Sequence, residues 1–236
     1  MIEPYKVIAS YYDLLYVKNN KYSDESEQIT EFISKYKLSR GNKLLDIACG
    51  TGGHISFLKE NYTVFGLDIC DDMLEIAKEK LPDVCFYKQD MVNFCLGNRF
   101  DIAICMYGSI GYTKTYENLQ KCLRTIYLHL NPGAIFIMVP WLIAEKFKNK
   151  VVSDLNKGDN YTAVRLENIQ LKGSIVEIDM HHLLEINGQI RYFNHKIESG
   201  LFSGNEYRNA INEAGFDILE EYSGNKIKLG AYVCRK

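Results

Sequence analysis

Three aspartates at or near the ends of apolar runs are the residues best suited to chemistry in this sequence. Asp46 lies in Leu44-Leu45-Asp46-Ile47, Asp68 follows Thr63-Val64-Phe65-Gly66-Leu67, and Asp90 comes just after Val84-Cys85-Phe86-Tyr87-Lys88. A carboxylate at the end of a strand accepts hydrogen bonds from a ligand's hydroxyl or amino groups. Asp68 is placed to take both hydroxyls of a ribose and Asp90 to take an adenine amino group, with Met91 in apolar contact. After Asp46 the chain reads Ala48-Cys49-Gly50-Thr51-Gly52-Gly53-His54. Such a loop turns sharply and lets a flat or anionic ligand come close to the backbone.

A dinucleotide-binding loop also joins the first strand and helix of a doubly wound sheet. That fingerprint needs a third glycine, and the corresponding position is Ile55, whose side chain would crowd a pyrophosphate at the helix N-terminus. A plain turn would account for the glycines but not for Asp68 and Asp90.

The elements that must position these groups follow from hydrophobic periodicity. Residues 1–22 are rich in tyrosine (Tyr5, Tyr11, Tyr12, Tyr16 and Tyr22), and 9–16 reads as a short helix forming an aromatic cover. A helix over 23–36 presents Ile29, Phe32 and Ile33. Strands at 44–48, 63–68, 84–88, 99–107 and 134–139 then alternate with helices at 54–61, 71–80 and 116–130, predicting an α/β fold with a mainly parallel sheet.

Beyond Pro140-Trp141 the pattern changes. Residues 142–160 are polar and lysine-rich and read as a connection, while 161–171, 175–186 and 190–201 alternate with period two. Asn187-Gly188 is a strong hairpin signal, so a three-stranded antiparallel insert is expected within 142–202, beside the crevice. Arg165, His181, His182, Arg191, Tyr192 and His195 are its candidate substrate contacts, and a guanidinium suits phosphate oxygens. The histidines have no local spacing that favours metal. A helix over 202–215 and strands at 216–222 and 228–234 complete the sheet, the last as an antiparallel edge.

The chain has 236 residues, a formal charge of −2 and seven cysteines without a Cys-x-x-Cys pair. It is long enough for one domain, 1–236, with an inserted subdomain. Mild acidity argues against nucleic acid as the main partner. Cysteines within apolar runs fit a reducing compartment, and no apolar stretch reaches a membrane span's length, so a cytoplasmic location is expected. The expected partner is a small molecule, and the protein itself a monomer or homodimer.

Asp46-x-x-x-Gly50-x-Gly52, together with Asp68 and Asp90, resembles the class I methyltransferases that use S-adenosylmethionine (SAM), over residues 40–140. Further similarity lies in Tyr12-Asp13-x-x-Tyr16, Cys105-Met106-Tyr107-Gly108-Ser109-Ile110-Gly111, Pro140-Trp141 and the insert. These resemble the N,N-dimethyltransferases of TDP-linked 3-amino-deoxysugars. The resemblance implies a Rossmann-like sheet, SAM as methyl donor and N-methylation of a nucleotide-linked amino sugar, the alternatives being a SAM-dependent methyltransferase for another small metabolite and a non-catalytic SAM-binding protein. The implied cofactor contacts are Tyr22, Asp46, Ala48, Gly50, Gly52, Asp68, Ile69, Asp90, Met91 and Met106. Tyr12, Ser109, Trp141, Arg165, His181 and Tyr192 would contact the substrate. In that family a tyrosine matching Tyr16 and a histidine at the end of the Ser-Ile-Gly loop face the amine. The histidine position is Tyr112 here, and a phenol that titrates near ~10 orients an amine better than it deprotonates one.

Overall fold

The computed structural model describes residues 8–16 and 21–236; Tyr5 lies outside them. Seven strands form the central sheet: β1 (Lys43–Ile47), β2 (Thr63–Asp68), β3 (Cys85–Lys88), β4 (Phe100–Cys105), β5 (Leu130–Met138), β10 (Asp217–Tyr222) and β11 (Ala231–Arg235). Their order is β10-β11-β5-β4-β1-β2-β3. β3, β2, β1, β4 and β5 run parallel, and β11 pairs antiparallel with both β5 and β10. The antiparallel strand thus stands one place inside the edge, and β10 is the margin.

Strands buried on both faces read as continuous apolar runs, and every residue of Phe100–Cys105 is buried. One layer of core packs α5 (Tyr116–His129) and α6 (Gly204–Ala214) on the sheet through Leu119, Leu123, Ile126, Tyr207 and Ile211. The opposite layer brings Ile29, Phe32 and Ile33 of α2 (Tyr22–Tyr36), Ile55 and Leu58 of α3 (Ile55–Leu58) and Leu74 of α4 (Asp71–Lys80) against Leu44, Ile102, Ile104 and Ile135. The chain moves to opposite sides of β1 through β2 and β4, so the carboxyl ends of β1 and β4 flank a topological switch point, where ligands enter open α/β sheets. No helix among the described residues is long and apolar enough to cross a membrane.

The insert has four strands, not three: β6 (Lys150–Gly158), β7 (Tyr161–Lys172), β8 (Ile175–Ile186) and β9 (Gln189–Gly200), an antiparallel sheet in chain order. The segment expected to be a connection contains β6. It escapes periodicity because it is an edge strand, and its inward positions Val152, Asp154 and Asn156 are mostly polar. Asn187 and Gly188 both have positive φ, as a type I′ hairpin requires. The sheet's inner face packs Ala163, Ile178, Met180, Leu184 and Ile197 against Ile8, Leu15 and Tyr16, so the aromatic N-terminal segment packs against the insert.

Buried Asn156 donates from Nδ2 to the Leu15 carbonyl at 2.5 Å, tying β6 to the last turn of α1 (Tyr12–Tyr16). Replacing it by alanine leaves that carbonyl unpaired, at a cost of about 1–3 kcal/mol. Chemical denaturation of Asn156→Ala is expected to show that loss; unchanged stability would mean that water replaces the bond.

Candidate active site

β1 ends at Ile47, and the loop after it carries the first cluster of expected residues. Ala48 and Gly50 have φ values of 58° and 54°. At Gly50 a side chain would meet nothing within 4 Å, so the loop is open on that face, whereas at Gly52 a Cβ would come 2.8 Å from Leu81. Asp68 shapes the loop directly: its Oδ2 accepts from the Gly50 N–H at 2.8 Å and its Oδ1 from the Cys70 N–H at 2.9 Å. The carboxylate expected to receive ribose hydroxyls is therefore also the brace of the glycine turn. Ile69, beside it, is 55% exposed, an apolar side chain left open at a strand end.

Asp46 is buried, and its Oδ2 has no hydrogen-bond partner among the described residues. Burial pushes its carboxyl up to about 7, against the attraction of His54 and with the repulsion of Asp68. His54 itself is buried against Glu25, with Nε2 to Oε2 at 2.9 Å. The Tyr22 ring packs over Gly53, where a Cβ would stand 2.2 Å from it, and meets His54 and Tyr107 edge-on at 5.0 and 5.7 Å. At the end of β3, exposed Asp90 accepts from the Val92 N–H at 2.9 Å, and Met91 is partly buried beside it. An orphaned buried oxygen, an open glycine loop and an exposed apolar residue next to a braced carboxylate fit the amino-acid, ribose and adenine parts of SAM.

A cavity of about 350 Å3 opens at the exit of β4. Its walls include Tyr12 and Tyr16 of α1, Met106 and Tyr107 after β4, Tyr112, Trp141, and Arg165, Glu167, Met180 and Ile197 of the insert. Lys21, Lys226 and Lys228 also border it. Tyr107, like Ala48, is a non-glycine residue in the left-handed region, at φ 52°. The adjacent strands β1 and β4 thus both end in backbone that non-glycine residues seldom adopt. Gly108 follows with φ 73°, and a Cβ there would fall 1.9 Å from that of Trp141, so only glycine lets the indole close the wall.

The hydroxyl of Tyr16 is buried with no partner among the described residues, and the Arg165 guanidinium lies 4.7 Å from its ring centre. Burial pushes the phenol up to about 12, with Arg165 opposing, so Tyr16 stays protonated and offers an O–H. α1 is held on the donor side by Asp13, which accepts from Thr51 Oγ1 at 2.7 Å and pairs with Lys80 at 2.7 Å.

Several expectations for the insert are corrected. Arg165 lines the cavity, but its guanidinium is committed to Asp154 and to Glu167, with Nη1 3.2 Å from Oε1 of the latter, and is not a free phosphate donor. His181 and Tyr192 stand on the outer face, joined by a 2.6 Å hydrogen bond, because successive strand residues face opposite ways. His182 and His195 are on the inner face, stacked at 5.3 Å, and burial holds them down to about 3 and 4; neither lines the cavity. Arg191 reaches the Tyr11 hydroxyl. Ser109 opens the turn that carries Tyr112 but does not itself line the cavity. Sequence reasoning assigned no role to Glu167, Asp13, Glu25 or Lys228; for Glu167 the signal was its i+2 spacing from Arg165, which puts both on one strand face.

Residues 44–133 match the family model described as a methyltransferase domain. The dTDP-3-amino-3,4,6-trideoxy-alpha-D-glucopyranose N,N-dimethyltransferase of Streptomyces venezuelae is 32% identical, over 95% of this chain and 96% of its own. The crystal structure of Streptomyces venezuelae DesVI superposes with a TM-score of 0.90 at 30% identity, covering 96% of this chain and 97% of that one. SAM-bound CalS10, an amino pentose methyltransferase from Micromonospora echinaspora, superposes at 0.83 with 25% identity and 95% of each chain. With the donor crevice and the adjoining cavity in the same fold, the chain belongs to the SAM-dependent N-methyltransferase family that contains these enzymes.

Proposed function

We propose that the protein transfers methyl groups from SAM to the amine of a TDP-linked amino-deoxysugar held in the cavity between α1, the β4 exit loop and the insert. The observation that carries this reading is that one cavity joins Met106, at the donor end of β4, to the tyrosine pair Tyr16 and Tyr112. Its volume of about 350 Å3 suits a hexose with part of its phosphate chain. Bound SAM supplies a sulfonium methyl, which the amine nitrogen takes as the C–S bond breaks and its electrons stay on sulfur.

The chain's own part is alignment and exclusion of water. Tyr16 offers its buried O–H and Tyr112 stands across the cavity to orient the amine. Trp141 and Tyr12 close the apolar wall on the sugar. Lys228 borders the cavity with no ion pair among the described residues, while Lys226 is shared by Glu27 and Glu31, so Lys228 takes the phosphate role first expected of Arg165. Asp46 with the glycine loop holds the amino-acid part of SAM, Asp68 the ribose and Asp90 the adenine. Cysteines that are all free thiols fit a cytoplasmic enzyme.

Mass spectrometry of TDP-3-amino-3,6-dideoxyhexoses incubated with enzyme and SAM is expected to show one or two added methyl groups. SAM binding without any methyl transfer to these acceptors would overturn the amino-sugar assignment. Asp68→Ala removes both the ribose acceptors and the brace of Gly50, and its SAM affinity, read by calorimetry, is expected to fall about tenfold or more, roughly 1.4 kcal/mol. A third expectation concerns pH. The buried Asp46 binds its proton more tightly in the folded than in the unfolded chain, so its contribution is full at low pH and is lost as pH rises towards about 7. Asp46→Asn is expected to remove that downward slope from thermal denaturation of the ligand-free protein between about pH 4 and 7.

A further inference from the structure

Glu167 is a carboxylate that the donor site does not use. It lies on β7, buried to 6% exposure, and shares the cavity wall with Tyr16, Tyr112 and Met106. Across the sheet it faces Val152 of β6 and Met180 of β8, so its strand neighbours give it no polar partner in register. Its one close cation among the described residues is Arg165, at Oε1. That same guanidinium is also bound by Asp154. Two carboxylates share one arginine, with Lys150 acting only as a weaker attraction from an exposed position, so this floor carries surplus negative charge. Lys21, Lys226, Lys228 and Glu25 also line the cavity; Lys21 pairs with Asp24, Lys226 with Glu27 and Glu31, and Glu25 with His54, which leaves Lys228 as its cation without an ion pair among the described residues. A cavity lined by an under-compensated carboxylate, Glu167, and by an unpaired ammonium, Lys228, matches a ligand that is cationic at one end and anionic at the other.

An amino sugar linked to a diphosphate has that charge pattern, since its amine is an ammonium in neutral water. Nitrogen in that form has no lone pair to receive a methyl group. Tyr16 and Tyr112 offer phenols, which are poor proton acceptors at neutral pH. We propose that Glu167 receives the acceptor's ammonium and takes its proton on Oε2, leaving the neutral amine aligned for methylation. The inference rests on the amino-sugar reading above.

The step is a proton exchange that balances within the site: the ammonium and the carboxylate become an amine and a carboxylic acid. After transfer the methylated nitrogen is again cationic, and Glu167 passes its proton to solvent before a second round. Burial raises the Glu167 carboxyl above its ordinary range, with Arg165 opposing, which narrows the gap between acid and ammonium that the proton must cross.

The test compares two probes, TDP-3-amino-3,6-dideoxyglucose and its counterpart with a hydroxyl in place of the amine. Both are titrated into enzyme saturated with S-adenosylhomocysteine. The wild-type protein is expected to prefer the amine by about tenfold or more, as a charge-assisted hydrogen bond implies. Glu167→Gln is expected to abolish that preference by weakening the amine alone, and to bring methyl transfer down with it. If Glu167 only positions Arg165, both probes weaken equally and the preference survives, which overturns the proposal. Should Glu167→Gln not fold, Glu167→Asp reads the same quantity: a shortened carboxylate is expected to weaken the amine and leave the hydroxyl probe unchanged, and an unchanged preference overturns the proposal. A wild-type enzyme that methylates the amino sugar yet binds both probes alike rejects the role of Glu167 alone. A wild-type enzyme that binds neither probe rejects the amino-sugar reading, and the proposal with it.

Discussion

The short helix of residues 12–16 is the constraint on which both halves of the site depend. A five-residue helix has little stability of its own, since nucleation costs more than so few hydrogen bonds return. It persists because it is fastened at both ends of its span. Asp13 is bonded to Thr51 in the glycine loop and to Lys80 of α4, while the Leu15 carbonyl takes a hydrogen bond from Asn156 of the insert. The tyrosines beside those anchors, Tyr12 and Tyr16, are thereby fixed between the glycine loop and the cavity, with ring centroids 4.6 Å apart.

Arg165 shows how a buried cation can organise a surface without meeting the ligand's phosphates. A guanidinium taken out of water demands carboxylate partners, and Asp154 and Glu167 supply them from the same inner face of the insert. Its planar group also lies over the Tyr16 ring. The arginine therefore links the insert's polar cluster to the helix that borders the donor side.

The donor half was legible in the chain because it is local. Asp46, Gly50, Gly52, Asp68 and Asp90 sit at strand ends that hydrophobic runs reveal, and each strand end becomes a site position in a parallel sheet. The cavity was less legible. Strand alternation put His181 and His182 on opposite faces, but nothing local says which face turns inward. Arg165 read as a phosphate contact because one carboxylate partner, Asp154, comes from a strand, β6, whose polar edge pattern hid it. Glu167 went unread since a lone glutamate in an alternating strand is an ordinary exposed residue until the fold buries it.

The cavity's walls come from residues 12–16, 21–25, 106–112, 139–141, 165–197 and 226–229, regions spread over nearly the whole chain, whereas the strand-end carboxylates Asp46, Asp68 and Asp90 lie within one short stretch. A substitution in any one wall segment therefore reshapes the cavity and leaves the strand-end carboxylates in place.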